Sequence, residues 1–444
     1  MLNMKKTTIS IVGLGKLGLP MAVAYASKGY QVIGVDINPE FVKLINRGKA
    51  PVQETQLQEY LEKYKNRISA SQNYKEAVLN SDITFIIVPT PSKPDGEFST
   101  KYAVEASCQI GKALKEKNSY HLVVFTSTLT PGYTEKDVLS TLEKYSGKKC
   151  GIDFDLCYNP EFIALGSVIY NLLHPDFILI GESSKKGGDF LETFYKNICS
   201  KNTPIKRMNI VNAEIAKISL NTFVTTKISY ANMLSELCEK IPGGNVDIVT
   251  DALGCDSRIG HKYLKGGLGY GGPCFPRDNR ALMQAAKRFG SSLPLAEATD
   301  KINRKQVMRI VNLIISKLPK KAKVGILGLS YKPDTPVIEE SQGIEIARKL
   351  SEKNIKTLVF DPMAIKNAKE FLSKKVYFCS SLKECVEKSD LVVITTPWQK
   401  FKQIKISWIK RPGKKIKIID CWRLLDHKKY KEIAEYIPLG VNKS

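Results

Sequence analysis

Short apolar runs and helix-compatible stretches alternate from the start of the chain. Residues 8–12 form an apolar run that breaks into the turn Gly13-Leu-Gly15-Lys-Leu-Gly18. Pro20 to Lys28 is helix-compatible and Gly29 ends it. Tyr30 to Val35 reads as a second strand closing on Asp36, Ile83 to Val88 as a third, and about Leu122 to Phe125 as a fourth. Strands alternating with helices predict a parallel sheet with crossover helices. The same grammar returns late in the chain. Lys323-Val-Gly-Ile-Leu-Gly-Leu resembles the opening, Lys356 to Phe360 closes on Asp361, and Ser389-Asp390 to Pro397 echoes Ser81-Asp82 to Pro89 in length. Two α/β domains of related design follow.

The middle has a different texture. Asn212 to Lys240 lacks Gly and Pro and sets Ile215, Ile218, Phe223 and Ile228 at helical spacing, so one long helix is expected from Ala213 onward. A second helical stretch runs from about Arg280 to Leu318, interrupted near Gly290 and Pro294. A long, partly apolar helix of this kind suits a dimer contact.

Composition adds exclusions. The 444 residues are 43% hydrophobic and 25% charged, which argues against disorder and for two or three cores. Runs such as Ile83 to Val88 and Leu391 to Ile394 are far too short to span a membrane. Lys5 and Lys6 before an apolar run imitate a leader peptide, but the run stops at Gly13 and reads better as a buried strand, placing the protein in the cytoplasm. The ten cysteines form no Cys-x-x-Cys pair and have no His at zinc-site spacing, so reduced, mostly buried thiols and no metal are expected. The net charge of +24 is spread along the chain with mild clustering at Lys402 to Lys417. It reads as a lysine-rich surface that also attracts an anionic diphosphate, with no nucleic acid and no membrane as partner.

Gly13, Gly15 and Gly18 fit G-x-G-x-x-G between a strand and a helix, and Asp36 ends the next strand. The first glycine permits the turn, the second lets a pyrophosphate approach, and the third packs the helix on the strand. Asp36 suits both ribose hydroxyls and repels a 2′-phosphate, while Ile37 and Asn38 supply no cation to hold one, so NAD is favoured over NADP. The expected architecture is two Rossmann-like parallel-sheet domains, 1–208 and 319–444, joined by a long helical central region, 209–318.

Gly269-Tyr-Gly-Gly-Pro-Cys274-Phe-Pro-Arg-Asp278 predicts a tight loop wrapped close to a ligand, with little bulk before the thiol. A buried structural cysteine would more naturally sit among aliphatic residues. Asp278 offers a base or water-binding group, and Lys217 or Arg277 a cation favouring the thiolate. The four histidines, His121, His174, His261 and His427, show no metal or general-base pattern.

This loop resembles the active-cysteine signature of the UDP-glucose/GDP-mannose dehydrogenase family, closest to its UDP-glucose 6-dehydrogenase branch. The resemblance runs through nearly the whole chain, in order: Pro89-Thr90-Pro91, Ser127-Thr128, Asn159-Pro-Glu161-Phe162, Pro175-Asp176, Glu214 with Lys217 and Asn221, Asp256-Ser-Arg258, and Lys332-Pro-Asp-Thr335. It implies oxidation of a UDP-sugar 6-hydroxyl to the carboxylate in two NAD-dependent steps, through a thiohemiacetal and a thioester on Cys274. It assigns Lys217 and Asn221 to the oxyanion, Asp278 to water or a proton, Glu161 to thioester hydrolysis, and Thr128 to a water near the reacting carbon. Gly13, Gly15, Lys16, Leu17, Gly18, Asp36, Pro89, Thr90, Ser127 and Thr128 would hold NAD. Glu161, Phe162, Lys217, Asn221, Arg258, Tyr263, Gly271, Lys332 and Arg423 would bind the UDP-sugar, Arg258 reaching from a neighbouring subunit of a homodimer or higher homo-oligomer.

The plain alternatives are a solvated pair for Glu214 and Lys217, a surface cation for Arg258 and a turn cap for Glu161. Three positions depart from the family pattern: Leu165 where many relatives have glutamate, Arg277 for lysine, and Glu339 for arginine. They leave the sugar open between glucose and an N-acetylhexosamine. A two-electron hydroxyacid-type dehydrogenase accounts for neither Cys274 nor the second α/β domain. A nucleotide-sensing or nucleic-acid-binding protein has only the charge in its favour.

Overall fold

The apolar run Thr8–Val12 forms strand β1 at the centre of an eight-stranded sheet. The computed structural model describes residues 7–442 apart from 164, 201, 320, 373, 412, 414 and 431, so Lys5 and Lys6 lie outside it. The other strands are β2 (Gln31–Val35), β3 (Ile68–Ser71), β4 (Ile83–Ile86), β5 (His121–Phe125), β6 (Phe154–Tyr158), β7 (Ile178–Glu182) and β8 (Ile205–Asn209), in the order β3-β2-β1-β4-β5-β6-β7-β8. Between them run α1 (Gly18–Ser27), α2 (Pro39–Asn46), α3 (Leu57–Tyr64), α4 (Tyr74–Leu79), α5 (Lys101–Glu116), α6 (Ser140–Ser146), α7 (Val168–Leu173) and α8 (Lys185–Ile198). Strands β4, β5 and β6 are buried along their whole length, as sandwiching between helix layers requires.

The sheet departs from the all-parallel expectation at one place. β7 pairs antiparallel with β6 through Cys157 with Glu182 and Tyr158 with Gly181, and β8 then runs parallel to β7. The third predicted strand also ends early, at Ile86, because residues 87 and 88 turn away to meet the glycine turn and Ser127.

Helix α9 (Ile210–Cys238) is the long helix expected from the Gly- and Pro-free stretch. The chain divides into two compact units between Ile218 and Ser219, so this helix is continuous through the boundary. The second unit continues with α10 (Val246–Gly254), α11 (Phe275–Arg288) and α12 (Pro294–Lys317). Its sheet has β9 (Lys323–Leu327), β10 (Lys356–Phe360), β11 (Val376–Phe378), β12 (Leu391–Ile394), β13 (Ile416–Asp420) and β14 (Ala434–Pro438). The order is β11-β10-β9-β12-β13-β14 and every pairing is parallel. Both sheets therefore reverse direction beside their first strand, the point where open α/β sheets bind ligands.

A buried polar ring ties the strands at their opposite ends. His121 Nδ1 lies 3.2 Å from Ser81 O and must donate to it, which leaves Nε2 to accept from Thr84 Oγ1 at 2.7 Å. Thr84 in turn accepts from Ser10 at 2.6 Å, and Ser10 from Ser81 Oγ at 3.0 Å. With the imidazole neutral, Thr84 donates to Nε2 and accepts from Ser10. Burial, with the nearby Lys117 ammonium, pushes the His121 pKa down to about 3. In the unfolded chain the ring titrates near its ordinary value of about 6.5, so the unfolded state binds the proton first as pH falls. Stability contributed by neutral His121 is thus present above about pH 6.5 and is lost progressively toward pH 3. A His121→Gln variant should show a flatter dependence of urea midpoint on pH between about 6.5 and 4 than the parent.

Candidate active site

The cofactor turn begins where β1 ends. Gly13 has φ +96°, and a Cβ on it would stand 2.0 Å from Ile87 O. A Cβ on Gly18 would stand 1.8 Å from Gly13 O, so this glycine lets α1 close against the turn. Gly15 is different: a Cβ there meets nothing within 4 Å. Its lack of a side chain is not explained by the protein's own packing, and it opens space beside the first turn of α1, where an anionic diphosphate is favoured. Leu17 is the residue before α1, and Lys16 is exposed. Asp36 accepts from Leu14 N at 2.7 Å and Asn38 N at 2.8 Å, which leaves acceptor capacity for ribose hydroxyls. These residues fit NAD.

The second α/β sheet carries a matching turn that does not fit. Gly328 takes the place of Gly13, and Ser330 that of the open Gly15. Asp361, the counterpart of Asp36, is buried. It accepts from Leu329 N, Ser330 N and Oγ, Met363 N, Ala364 N and Trp398 Nε1. The space and the acceptors that a ribose needs are filled by protein.

In the first unit, Thr90 is buried, with Pro89 exposed before it. Ser127 donates to Val88 O at 2.7 Å, which fixes the Ser127-Thr128 pair beside the strand ends. On α9, Glu214 and Lys217 are both buried, so the solvated-pair alternative fails. Glu214 accepts from Gly132 N at 2.6 Å and Thr134 N at 2.9 Å and braces the segment after Ser127-Thr128. Lys217 Nζ donates to Glu161 O at 2.9 Å and lies 4.6 Å from the centre of the Phe162 ring, which packs on Phe177. Glu161 Oε1 is buried and has no hydrogen-bond partner among the described residues. Burial lifts its pKa to about 7 against the opposing pull of Lys217 and the Tyr195 hydroxyl.

In the second unit, Asn221 and Asp278 are buried together, Asn221 Nδ2 donating to Asp278 Oδ2 at 2.6 Å. Cys274 is exposed and stands at the N-cap of α11, with Asp278 N donating to its carbonyl at 2.8 Å. The segment predicted as one tight loop therefore splits: residues 269–273 are loop, and 275–278 are the first helical turn. Pro276 suits that turn, where its missing N–H costs nothing. The loop glycines also have another reason than a ligand. A Cβ on Gly269 would strike Asn303, on Gly271 the Glu340 carbonyl, and on Gly272 the Tyr331 ring.

Arg258 is highly exposed and pairs with its neighbour Asp256 at 2.6 Å, and exposed Tyr263 sits at φ +65°. Lys332 is half-buried beside Tyr331. The Arg423 guanidinium is engaged by the protein itself. It forms a two-point ion pair with Asp247 at 2.7 Å and donates to Leu439 O at 2.8 Å and Gly266 O at 2.6 Å. With four of its five N–H groups so engaged, it braces the loop leading to Cys274.

Some neighbours were not legible from sequence. Tyr331 lies against the cysteine loop, and burial with the nearby Cys274 raises its pKa to about 12. Tyr195 donates to Asn159 Oδ1 beside Glu161, and Glu54 reaches the segment after it. Only the Lys332-Pro-Asp-Thr335 match pointed near Tyr331; nothing local marked Tyr195 or Glu54. Among the described residues no group of His, Cys, Asp and Glu could hold a metal ion, and no helix is long and apolar enough to cross a membrane.

Two doubly wound sheets, an open NAD turn on the first alone, and an exposed cysteine at the N-cap position of α11 define a two-domain, NAD-dependent dehydrogenase. The chain belongs to the UDP-glucose/GDP-mannose dehydrogenase family, whose NAD-binding domain matches residues 7–199, central domain 211–305 and UDP-binding domain 325–427. It is 33% identical over 397 residues to the UDP-glucose 6-dehydrogenase AglM of Haloferax volcanii, covering 88% of this chain and 92% of that one. It is 34% identical to the GDP-mannose 6-dehydrogenase of Pseudomonas aeruginosa, covering 87% and 90%. The solved UDP-glucose dehydrogenase of Pyrobaculum islandicum superposes with a TM-score of 0.89 at 32% identity, over 100% of this chain and 99% of that one. NAD is the cofactor and a UDP-sugar the substrate.

The glycine geometry separates binding from folding. Gly15→Ala should melt like the parent yet raise the KM for NAD, whereas Gly18→Ala should lower the melting temperature because its Cβ has no room. Equal destabilisation of both would refute the assignment of Gly15 to the cofactor.

Proposed function

We propose that the enzyme oxidises UDP-glucose to UDP-glucuronate in two successive oxidations, the second on a sugar held covalently by Cys274. The observation that carries this is the exposed Cys274 at the start of α11, with the buried Asn221–Asp278 pair below it. NAD held by the turn after β1 would supply the hydride acceptor for each oxidation at the sugar C6. After the first, C6 is an aldehyde. The Cys274 sulfur adds to it, the S–C bond forms, and the carbonyl oxygen becomes the oxyanion of a thiohemiacetal. That tetrahedral carbon can release a second hydride and become a thioester. Water then attacks the thioester, the S–C bond breaks, and the carboxylate leaves with the thiol restored.

Lys217 and Asn221, one turn apart on α9, supply donors for the oxyanion, and Asp278 holds Asn221 in place and handles a proton. Thr128 supports the water, and Glu161 takes its proton during hydrolysis. Glu161 must be ionised for this, and its pKa near 7 means that hydrolysis slows as pH falls through 7. Asp36 with Gly13, Gly15, Lys16, Leu17 and Gly18 holds NAD, with Pro89, Thr90, Ser127 and Thr128 toward its reacting end. Phe162, Tyr263, Gly271 and Lys332 line the sugar nucleotide. The three-part division at 208 and 318 follows these roles, with cytoplasmic location as the matching setting.

A homodimer is the assembly we infer. Phe223, Tyr230 and Leu237 recur every seven residues on α9 and are all exposed, a stripe that a second copy would cover. Arg258 then reaches the neighbouring site. Phe223→Glu should shift the dimer toward monomer in sedimentation equilibrium; an unchanged mass would remove this stripe from the interface.

With UDP-glucose the expected yield is two NADH per sugar, and Cys274→Ser should abolish turnover. Asn221→Ala should cost about 100- to 1,000-fold in kcat. Glu161→Gln should accumulate an acyl-enzyme visible by intact mass, and the parent should do so increasingly below pH 7. No turnover would move the assignment to a UDP-N-acetylhexosamine. A ratio of one, untouched by Cys274→Ser, would replace the thioester route with a single two-electron oxidation.

A further inference from the structure

The segment from Asn159 to Ser167 carries Glu161 and Phe162, and its described residues lie in neither helix nor strand. Such a stretch holds a carboxylate to catalytic tolerance only if its ends are tied. Its first end is fixed at the sheet, where Asn159 N donates to Phe125 O at 2.8 Å and Asn159 Nδ2 to Leu179 O at 2.8 Å. Lys217 holds its middle through the Glu161 carbonyl. The other end runs into α7, a short helix whose N-cap Ser167 makes no side-chain capping bond. Its hydroxyl is turned toward Asn171 instead.

The donors there are satisfied from more than a hundred residues away. Glu54 lies in the connection between α2 and α3. Its Oε2 accepts from Gly166 N at 3.0 Å and its Oε1 from Val168 N at 3.2 Å. Its neighbour Thr55 donates through Oγ1 to Gly166 O at 2.8 Å. The connection is stiff enough to act as a clamp. Gln58 spans it, donating to Gly48 O at 2.8 Å and accepting from Ala50 N at 2.9 Å. Ala50 and Val52 pack on the same core that Ile163 and Leu165 join.

We propose that Glu54, seconded by Thr55, is a positioning residue for the UDP-sugar oxidation, holding the Glu161–Phe162 segment in register through the backbone of Gly166 and Val168. Glu54 touches no reacting atom. It acts through the segment, and its carboxylate is suited to the task because two N–H donors converge on one ionised acceptor pair. This rests on the reading that Glu161 serves thioester hydrolysis.

The test uses the full-length enzyme with UDP-glucose and NAD. Glu54→Ala should raise the KM for UDP-glucose and slow acyl-enzyme hydrolysis, on the order of 10- to 100-fold together, as small misplacement of a catalytic group does. The KM for NAD should stay at the parent value, since the cofactor turn does not depend on this clamp. The acyl-enzyme should be more abundant by intact mass at steady state. Glu54→Gln keeps one acceptor of the right reach and should fall between the parent and Glu54→Ala; it also serves if the alanine variant does not fold. Thr55→Val removes one bond without changing charge and should show the same pattern more weakly. If Glu161→Gln accumulates acyl-enzyme but the Glu54 variants leave both the sugar KM and the acyl-enzyme level unchanged, the clamp is wrong. If the Glu54 variants raise both KM values equally, the role is general stability and the proposal falls. If Glu161→Gln itself accumulates nothing, the reading beneath it has failed, a distinct result that overturns the clamp with it.

Discussion

At the end of β1 three pieces of backbone approach one another more closely than side chains allow: Gly13, the Ile87 carbonyl and the first residue of α1, Gly18. This crowding sets where α1 begins and how it leans on the sheet. The helix can then present its first amides beside the strand ends, while Asp36 comes level with them from β2 and reaches back to Leu14. Strand β4 must end at Ile86 because the next residues are committed to this contact. The cofactor side of the first unit hangs from that one steric fit.

The second sheet shows what happens to the same topology when the fit is kept and the opening is closed. Gly328 still bends the chain at φ +111°, and Gly343 still packs on its carbonyl. Ser330 and Trp398, however, spend their donors on Asp361. A cleft that could take a ribose has become a buried hydrogen-bond cluster, so topology alone does not confer dinucleotide binding. The family assignment gives this domain to UDP instead.

How much of this could be read in advance followed from how local each signal was. Central strands such as His121–Phe125 and the Gly- and Pro-free α9 were legible, because burial on both faces or a long unbroken period leaves a continuous trace. Strand β3, with only Ile68 and Ala70 facing inward, left none, and the antiparallel turn at β7 is a matter of pairing, which no single segment encodes. In the site, Cys274 and Asp278 stood out through the glycine- and proline-rich loop, while Lys217 with Asn221 was pointed to by the family resemblance. The helical start at Phe275 did not, because Pro276 looked like a breaker where it is a first-turn residue. The ion pair of Arg423 with Asp247 was hidden because the partner is 176 residues away. Glu54 is the same case in reverse: an ordinary glutamate in a connection, given meaning by partners remote in sequence.

Helix α9 carries Glu214, Lys217 and Asn221 on one face while belonging to both compact units. The separation of Lys217 from Asn221 is then a property of the helical repeat, about 6 Å for four residues, and owes nothing to how well any loop is packed. The gene for this stretch is correspondingly intolerant of length change. One codon inserted between the two positions would turn Asn221 by about 100° around the helix axis relative to Lys217, even though both residues would still be present. Substitutions can drift along the exposed side of α9; insertions and deletions between these two positions cannot.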